Sequence, residues 1–449
     1  MLLRESVEAV RQSVFSRNFV KPLYGTFCFS GIPSSVQSLL GLEPHNWQRY
    51  CNGTCCGACC GACDCSWTVA LPTSVFPVPG NTYKKVIFVL VDALGWRFLE
   101  NHLLDHPFVK RFMESGVVSK LTSQFPSTTV VHSLTMSTGL LPAQTGILEW
   151  FYYEPVIGDV ICPLLYRIAG DKSKCSLKNM NSQTHAIFPN KSFCAELKDM
   201  GVQSYVYQHK AYTPSPFSDA TMFGAEFVPF SKPSDAVVCL MERMSRDERA
   251  YHYLYLDSVD HVSHEFGPSS AKSINEAQKM LTFLESSFFG KATAQWQDTL
   301  LIVTADHGQT DTDLRKVVYI NREWPEIESK LKKATRTGKP IVPCGGMGRN
   351  LFLHVQPQFL NETREKLAQI LCGRAEVYSV QKLVEAGIFG THFPAAAFFE
   401  RAGDLIVLPY AGESVWWFEA NKHMVKTLGN HGGLSCEEME IPFLTLAYN

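Results

Sequence analysis

The chain has 449 residues, 45% of them hydrophobic, which is ample for a large buried core and for one to three domains. A formal net charge of -2 provides no broad basic surface and argues against bulk nucleic acid as a partner. No run approaches the roughly 20 apolar residues that span a bilayer, and the most apolar stretch, 86–91, reads as a buried strand.

The first expected element is an amphipathic helix, from the spacing of Leu3, Val7, Val10 and Val14. Arg4, Glu5, Glu8 and Arg11 interrupt any apolar leader core, so no signal peptide is read and a cytoplasmic location is expected. Seven of the fifteen cysteines follow, between Cys51 and Cys65. Without a secretory signal a disulfide framework is not their expected purpose. A thiolate metal site, an acylated loop and a small-residue insert with no site all remain open for them.

From residue 84 strands and helices alternate. "KKVIFVLVDALGW" is a continuous apolar run ending in Asp92, the pattern of a central parallel strand buried on both faces. "DHPFVKRFMESG" reads as a helix stopped by Gly116, and "VVSKLTSQF" as the next strand. "FCAELKDMG" and "VQSYVYQ" repeat that step. "AYHYLYLD" and "TLLIVTAD" are further strands that each lead into an acidic residue, with the helix "SINEAQKMLTFLESSF" between them, and "EIPFLTLAY" closes the chain as a strand. This alternation predicts an α/β sandwich around a mostly parallel sheet, with ligands outside the carboxyl ends of its strands. Residues 1–80 stand apart as an N-terminal segment. Residues 81–449 are expected to form the catalytic domain, with aromatic-rich inserts near 150–235 and 330–425.

Metal-type ligands occur at the same strand ends. Asp92 ends the first core strand. "DSVDHVSHEFGP" supplies Asp260 and His264, four apart and so able to face one ion from a single helical turn. "TADHGQTD" supplies Asp306 and His307, and "GNHGG" supplies His431. Three Asp and three His suit two zinc-like ions with three protein side chains each. A lone Asp at a strand end is ordinarily a cap, and a lone His a satisfied polar group; the joint order of the six carries the reading. "FPSTTVVHSLTMSTG" places Ser127, Thr128 and Thr129 before a helix that Gly139 stops. The head of such a helix favours an anion, and its hydroxyls serve either as a cap or as a nucleophile.

"FVLVDALGWRF", "FPSTTVVHSLTMSTGLLPAQTGILEW", "DHVSHEFGP", "TADHGQTD" and "NHGGLSCEEMEIPFL" resemble, in order, the motifs of the alkaline phosphatase superfamily. The branch they resemble most is the type I phosphodiesterase/nucleotide pyrophosphatase branch. The likeness covers residues 84–315 and 400–449 and implies a three-layer alkaline-phosphatase-like sandwich. It implies two zinc sites, one from Asp260, His264 and His431 and one from Asp92, Asp306 and His307. It also implies Thr129 as the nucleophile, with Thr128 a neighbour. The expected substrate is a small phosphate ester, nucleotide-like in class and a diester, because no phosphate-binding Arg can be assigned as in monoesterases. A monoesterase, a phosphonate hydrolase and a catalytically silent binding protein are the alternatives. Sulfatases are excluded, since the nucleophile segment has no Cys. One position departs from the branch: three residues after Thr129, where an Asn that binds phosphate is expected, the chain has His132. His132 would donate the same hydrogen bond, re-orient the site, or simply pack. Trp150, Phe151, Tyr152 and Tyr153 could stack on a base or another leaving group, or belong to the core.

Overall fold

A computed structural model of the chain describes residues 1–42, 68–173, 175–180, 184–290 and 296–448. The cysteine run Cys51–Cys65 lies outside the described residues, so the three readings of it stand as they were.

The main sheet has seven strands: β1 (Lys85–Val91), β2 (Val117–Thr122), β3 (Gln203–His209), β4 (Glu226–Phe230), β5 (Ala250–Leu256), β6 (Thr299–Thr304) and β7 (Glu440–Tyr448). Their order across the sheet is β2-β7-β6-β1-β5-β3-β4. β7 alone runs against its neighbours β2 and β6. The helices that matter below are α1 (Arg4–Gln12), α2 (Pro107–Ser115), α3 (Thr129–Thr138), α4 (Phe193–Asp199), α5 (Pro233–Met244), α6 (Ser258–Phe266) and α7 (Ala271–Phe288). Every residue of β1 from Val86 to Val91 is fully buried, as a parallel strand covered on both faces requires. α7 follows from its own pattern: Ser270 caps it by accepting the Ser273 N–H, and Ala277, Leu281, Leu284 and Phe288 bury one face.

Register explains why the acidic residues meet. Val91 of β1 lies opposite Leu256 of β5, and Leu90 lies opposite Thr304 of β6. The residues that follow these strands, Asp92, Asp257 and Asp306, therefore emerge together at one edge of three adjacent strands. β7 starts at that edge because it is antiparallel: Glu440 pairs with Thr122 and Phe443 with Thr304. The loop before it delivers His431 to the same place.

Residues 1–42 pack along the outer side of β2. The Leu3 amide donates to the Val118 carbonyl at 2.8 Å, and Val118 donates back to Met1 at 2.9 Å. This covers an edge strand that would otherwise expose a row of unpaired groups. α1 ends at Gln12, two residues short of the end of the expected stripe, and Val14 is exposed. Of the stretch 150–235, the first part folds as a small sheet of Tyr152–Glu154, Asp159–Cys162 and Arg167–Ile168, while α4, β3 and β4 belong to the main layers. Residues 344–409 hold a four-stranded antiparallel sheet with a second hydrophobic core. No helix among the described residues is long and apolar enough to cross a membrane.

Candidate active site

Thr128 is the N-cap of α3 and Thr129 its first helical residue; Gly139 ends the helix in the left-handed region. The Thr129 hydroxyl stands at the positive end of the helix, 3.2 Å from His307 Nε2 and 3.4 Å from Asp92 Oδ2. Ser127 and Thr128 do not share that position. Ser127 Oγ donates to the Gly433 carbonyl at 2.8 Å and accepts the Gly432 N–H at 3.2 Å, so it ties the turn to the His431 loop.

The expected ligands gather around this hydroxyl. His307 Nε2 lies 3.4 Å from both Asp92 Oδ1 and Asp306 Oδ2. On the other side Asp260 Oδ1 is 3.4 Å from His264 Nε2 and 3.8 Å from His431 Nε2. The rings of His307 and His431 stack 3.7 Å apart and join the two halves. The tightest groupings of ligand atoms are Asp92, Asp306 and His307, and Asp260, His307 and His431. His264 thus stands beside the second trio, and His307 is shared between the two.

The tautomers follow from backbone carbonyls, which can only accept. His264 Nδ1 donates to Gly429, His431 Nδ1 to Ser127 and His307 Nδ1 to Gly308, at 2.7, 2.9 and 3.0 Å. Each Nε2 therefore offers its lone pair to the cluster, the arrangement a metal-binding imidazole needs. Asp306 Oδ1 accepts two backbone N–H groups, from Ala93 and His307, while Tyr255 donates its hydroxyl to Asp92 Oδ2. The remaining oxygens, Asp92 Oδ1 and Asp306 Oδ2, are buried without any hydrogen-bond partner. Burial, and then the neighbouring carboxylates, push Asp92 well above the usual range; burial first and Asp260 among the rest bring Asp306 to about 7. Burial also holds His307 and His431 below their ordinary values, so both are neutral. Unpaired buried carboxylates beside neutral imidazoles fit divalent cations held by mixed O and N ligands. The loops can approach this closely because Gly95 and Gly308 pack backbone on backbone: a Cβ on Gly95 would lie 2.7 Å from Gly308 Cα.

A cleft of about 250 Å³ opens beside Thr129, with Asp92, Ser133, Trp150, Phe217, Tyr212 and Tyr255 in its walls and no Lys or Arg among its described lining residues. Trp150 is therefore in the cleft wall. Tyr152 and Tyr153 are not. Their strand is covered on both faces, so its alternating side chains enter two different cores. Tyr152 donates to Glu154 at 3.1 Å under Arg401, and Tyr153 packs edge-on against His354. His132 also turns away from the cleft. Its Nδ1 donates to the Thr128 carbonyl at 2.8 Å, and its Nε2 accepts the Gln124 N–H at 3.1 Å with Ser123 Oγ at 2.8 Å. Both nitrogens are occupied, and burial lowers its pKa to about 3, so it has no proton or hydrogen bond to offer a substrate. It buttresses the Ser127–Thr129 turn instead. The site also contains groups that carry no sequence motif. Gln309 donates to Asp260 Oδ1 at 2.5 Å, and only its adjacency to "DHG" could have pointed to it.

A family model described as "Type I phosphodiesterase / nucleotide pyrophosphatase" matches residues 86–434. The chain belongs to the type I phosphodiesterase/nucleotide pyrophosphatase family. Within this family it is 22% identical over 260 residues to mouse ectonucleotide pyrophosphatase/phosphodiesterase family member 3, covering 56% of this chain and 28% of the relative. It is 23% identical over 251 residues to human family member 5, covering 53% of this chain and 48% of the relative. The chain spans less than half the length of these relatives. The structure of murine family member 5, solved as an inactive variant in complex with AMP, superposes with a TM-score of 0.59 at 18% identity, over 81% of this chain and 88% of that one. That likeness confirms the alkaline-phosphatase-like α/β fold.

Proposed function

We propose that the protein is a two-cation hydrolase of phosphate diesters that acts through Thr129. The observation that carries the reading is the Thr129 hydroxyl, at the head of α3 and within 3.4 Å of His307 and Asp92. Asp92, Asp306 and His307 would hold one divalent cation and Asp260, His431 and His264 the other, with His307 facing both; zinc suits these ligands best. Bound there, the cations supply the Lewis acidity that makes a neutral hydroxyl nucleophilic and offsets charge on the transferring oxygens.

The remaining steps are carried by the chain's own groups. α3 directs its positive end at the phosphoryl group. Thr129 Oγ1 attacks phosphorus and its proton passes to the departing alkoxide, which leaves in line as an alcohol while a phosphothreonine diester remains. Water then attacks that phosphorus, the Thr129 P–O bond breaks, the threonine oxygen takes back a proton from the water, and a phosphate monoester is released. Trp150, Tyr212 and Phe217 give the esterified group an aromatic surface, which suits a nucleotide-like substrate. Among the described lining residues there is no Lys or Arg, which favours a singly charged diester over a doubly charged monoester. The AMP bound to murine family member 5 supports the same class.

Zinc-loaded protein should hydrolyse bis-p-nitrophenyl phosphate with a kcat/KM well above that for p-nitrophenyl phosphate. A preference for the monoester would reverse the substrate assignment, and no turnover of either with two cations bound would remove the hydrolase reading.

A further inference from the structure

Glu149 is fully buried, and among the described residues no cationic side chain pairs with it. Its carboxylate accepts two hydrogen bonds. Trp150, in the cleft wall, donates its backbone N–H to Oε2. Asn350 donates to Oε1 at 2.9 Å. Gly432, beside His431, donates its N–H to Ser127 Oγ at 3.2 Å, in the turn that precedes Thr129. Asn350 also donates to the Gly432 carbonyl at 2.6 Å, next to His431, and accepts the Gly346 N–H at 2.8 Å. The space is shaped for this group: a Cβ on Gly346 would lie 2.3 Å from Glu149 Oε1, and one on Gly432 2.5 Å from it. No substituent could be added at either glycine without displacing the carboxylate.

We infer that Glu149 is a positioning residue for the reaction: through Asn350 and Gly432 it holds the Ser127–Thr129 turn in register with the cleft wall at Trp150 and with the loop that presents His431. The inference rests on Thr129 as nucleophile. It differs from general packing because donors alone converge on Glu149. An amide of the same shape turns an N–H toward the Trp150 N–H or the Asn350 amide, and one contact becomes repulsive. The resulting shift of the turn is small, but displacement of about 1 Å at a nucleophile costs on the order of 100-fold in rate.

The test uses the full zinc-loaded chain and bis-p-nitrophenyl phosphate. Glu149→Gln is expected to keep two cations per chain by elemental analysis and to lower kcat between about 10-fold and 100-fold, with little change in KM. Asn350→Ala is expected to lower kcat less, with KM and cation content unchanged, and the double variant Asn350→Ala/Glu149→Gln to be no slower than Glu149→Gln alone. An unchanged kcat in Glu149→Gln, additive losses in the double variant, or a rate loss that tracks loss of a cation would each overturn the inference. Should Glu149→Gln fail to fold, Asn350→Ala decides it: a wild-type kcat overturns it, and a lower kcat with KM and cation content unchanged supports it. Thr129→Ala separates the two levels. Full activity there removes the nucleophile reading itself, whereas an inactive Thr129→Ala beside an unimpaired Glu149→Gln removes only the positioning role.

Discussion

Single side chains at this site have duties their type does not announce. His132 looks like a catalytic imidazole three residues from the proposed nucleophile, yet its two nitrogens hold the Thr128 carbonyl and the Gln124 amide. Replacing it with Asn cannot satisfy both, and a buried unmet group costs about 1–3 kcal/mol. His132→Asn is therefore expected to unfold at lower denaturant while KM for a diester stays near the wild-type value; an intact stability with a large rise in KM would assign it to substrate binding after all. Glu149 makes a second expectation. Burial raises its pKa to about 7 from an ordinary 4.5. A carboxyl whose folded pKa is raised stabilises the fold in its protonated form, and that contribution fades as pH rises from about 4.5 through 7, by roughly 3 kcal/mol. The pH profile of unfolding for wild type should fall more steeply across this window than that of Glu149→Gln. Parallel profiles would contradict the assignment.

Among elements, the buried parallel strands were legible because full burial leaves a continuous apolar run that only a polar residue at the carboxyl end interrupts, as at Val86–Asp92. The six Asp and His positions came with those strand ends. What the sequence did not show depends on contacts between distant elements. Nothing in "WFYYEP" states that the strand Tyr152–Glu154 lies between two cores, so Tyr152 and Tyr153 read like cleft residues. The packing of residues 1–42 on β2 has no local signal, since it consists of backbone pairing such as Leu3 with Val118. The brace of the His431 loop is equally remote: Glu438 accepts the Gly433 N–H and pairs, fully buried, with Arg349, which also donates to the carbonyls of Pro409 and Tyr410. Removing one partner of such a pair costs about 3–5 kcal/mol. Arg349→Met should lower stability in urea by that amount and weaken cation binding at the His431 side. A loss of stability with unchanged cation affinity would show that the brace does not reach the site.

For the whole molecule, the proposed cations would couple to folding. Without them, Asp306 sits near pKa 7 and Asp92 well above the carboxylate range, so the cation-free fold is favoured by protonation and loses that support as pH rises through 7. Cations bind the deprotonated carboxylates, so they displace protons and stabilise the fold more at high pH. The rise in Tm on adding zinc to chelator-treated protein should be larger at pH 8 than at pH 6, with proton release on binding seen by calorimetry in two buffers. A zinc-induced rise that is the same at both pH values would contradict the carboxylate-rich site.

The most direct test of the central claim is the turnover of bis-p-nitrophenyl phosphate by Thr129→Ala beside wild type, with cation content measured on the same samples. Thr129 is only partly buried and its hydroxyl meets His307 and Asp92 of the site rather than the apolar core, so the variant should fold and keep two cations per chain. Its kcat should fall by roughly 1,000-fold or more, the scale seen when a nucleophile is removed. Wild-type turnover by a Thr129→Ala protein with both cations bound would contradict the claim that this hydroxyl attacks phosphorus.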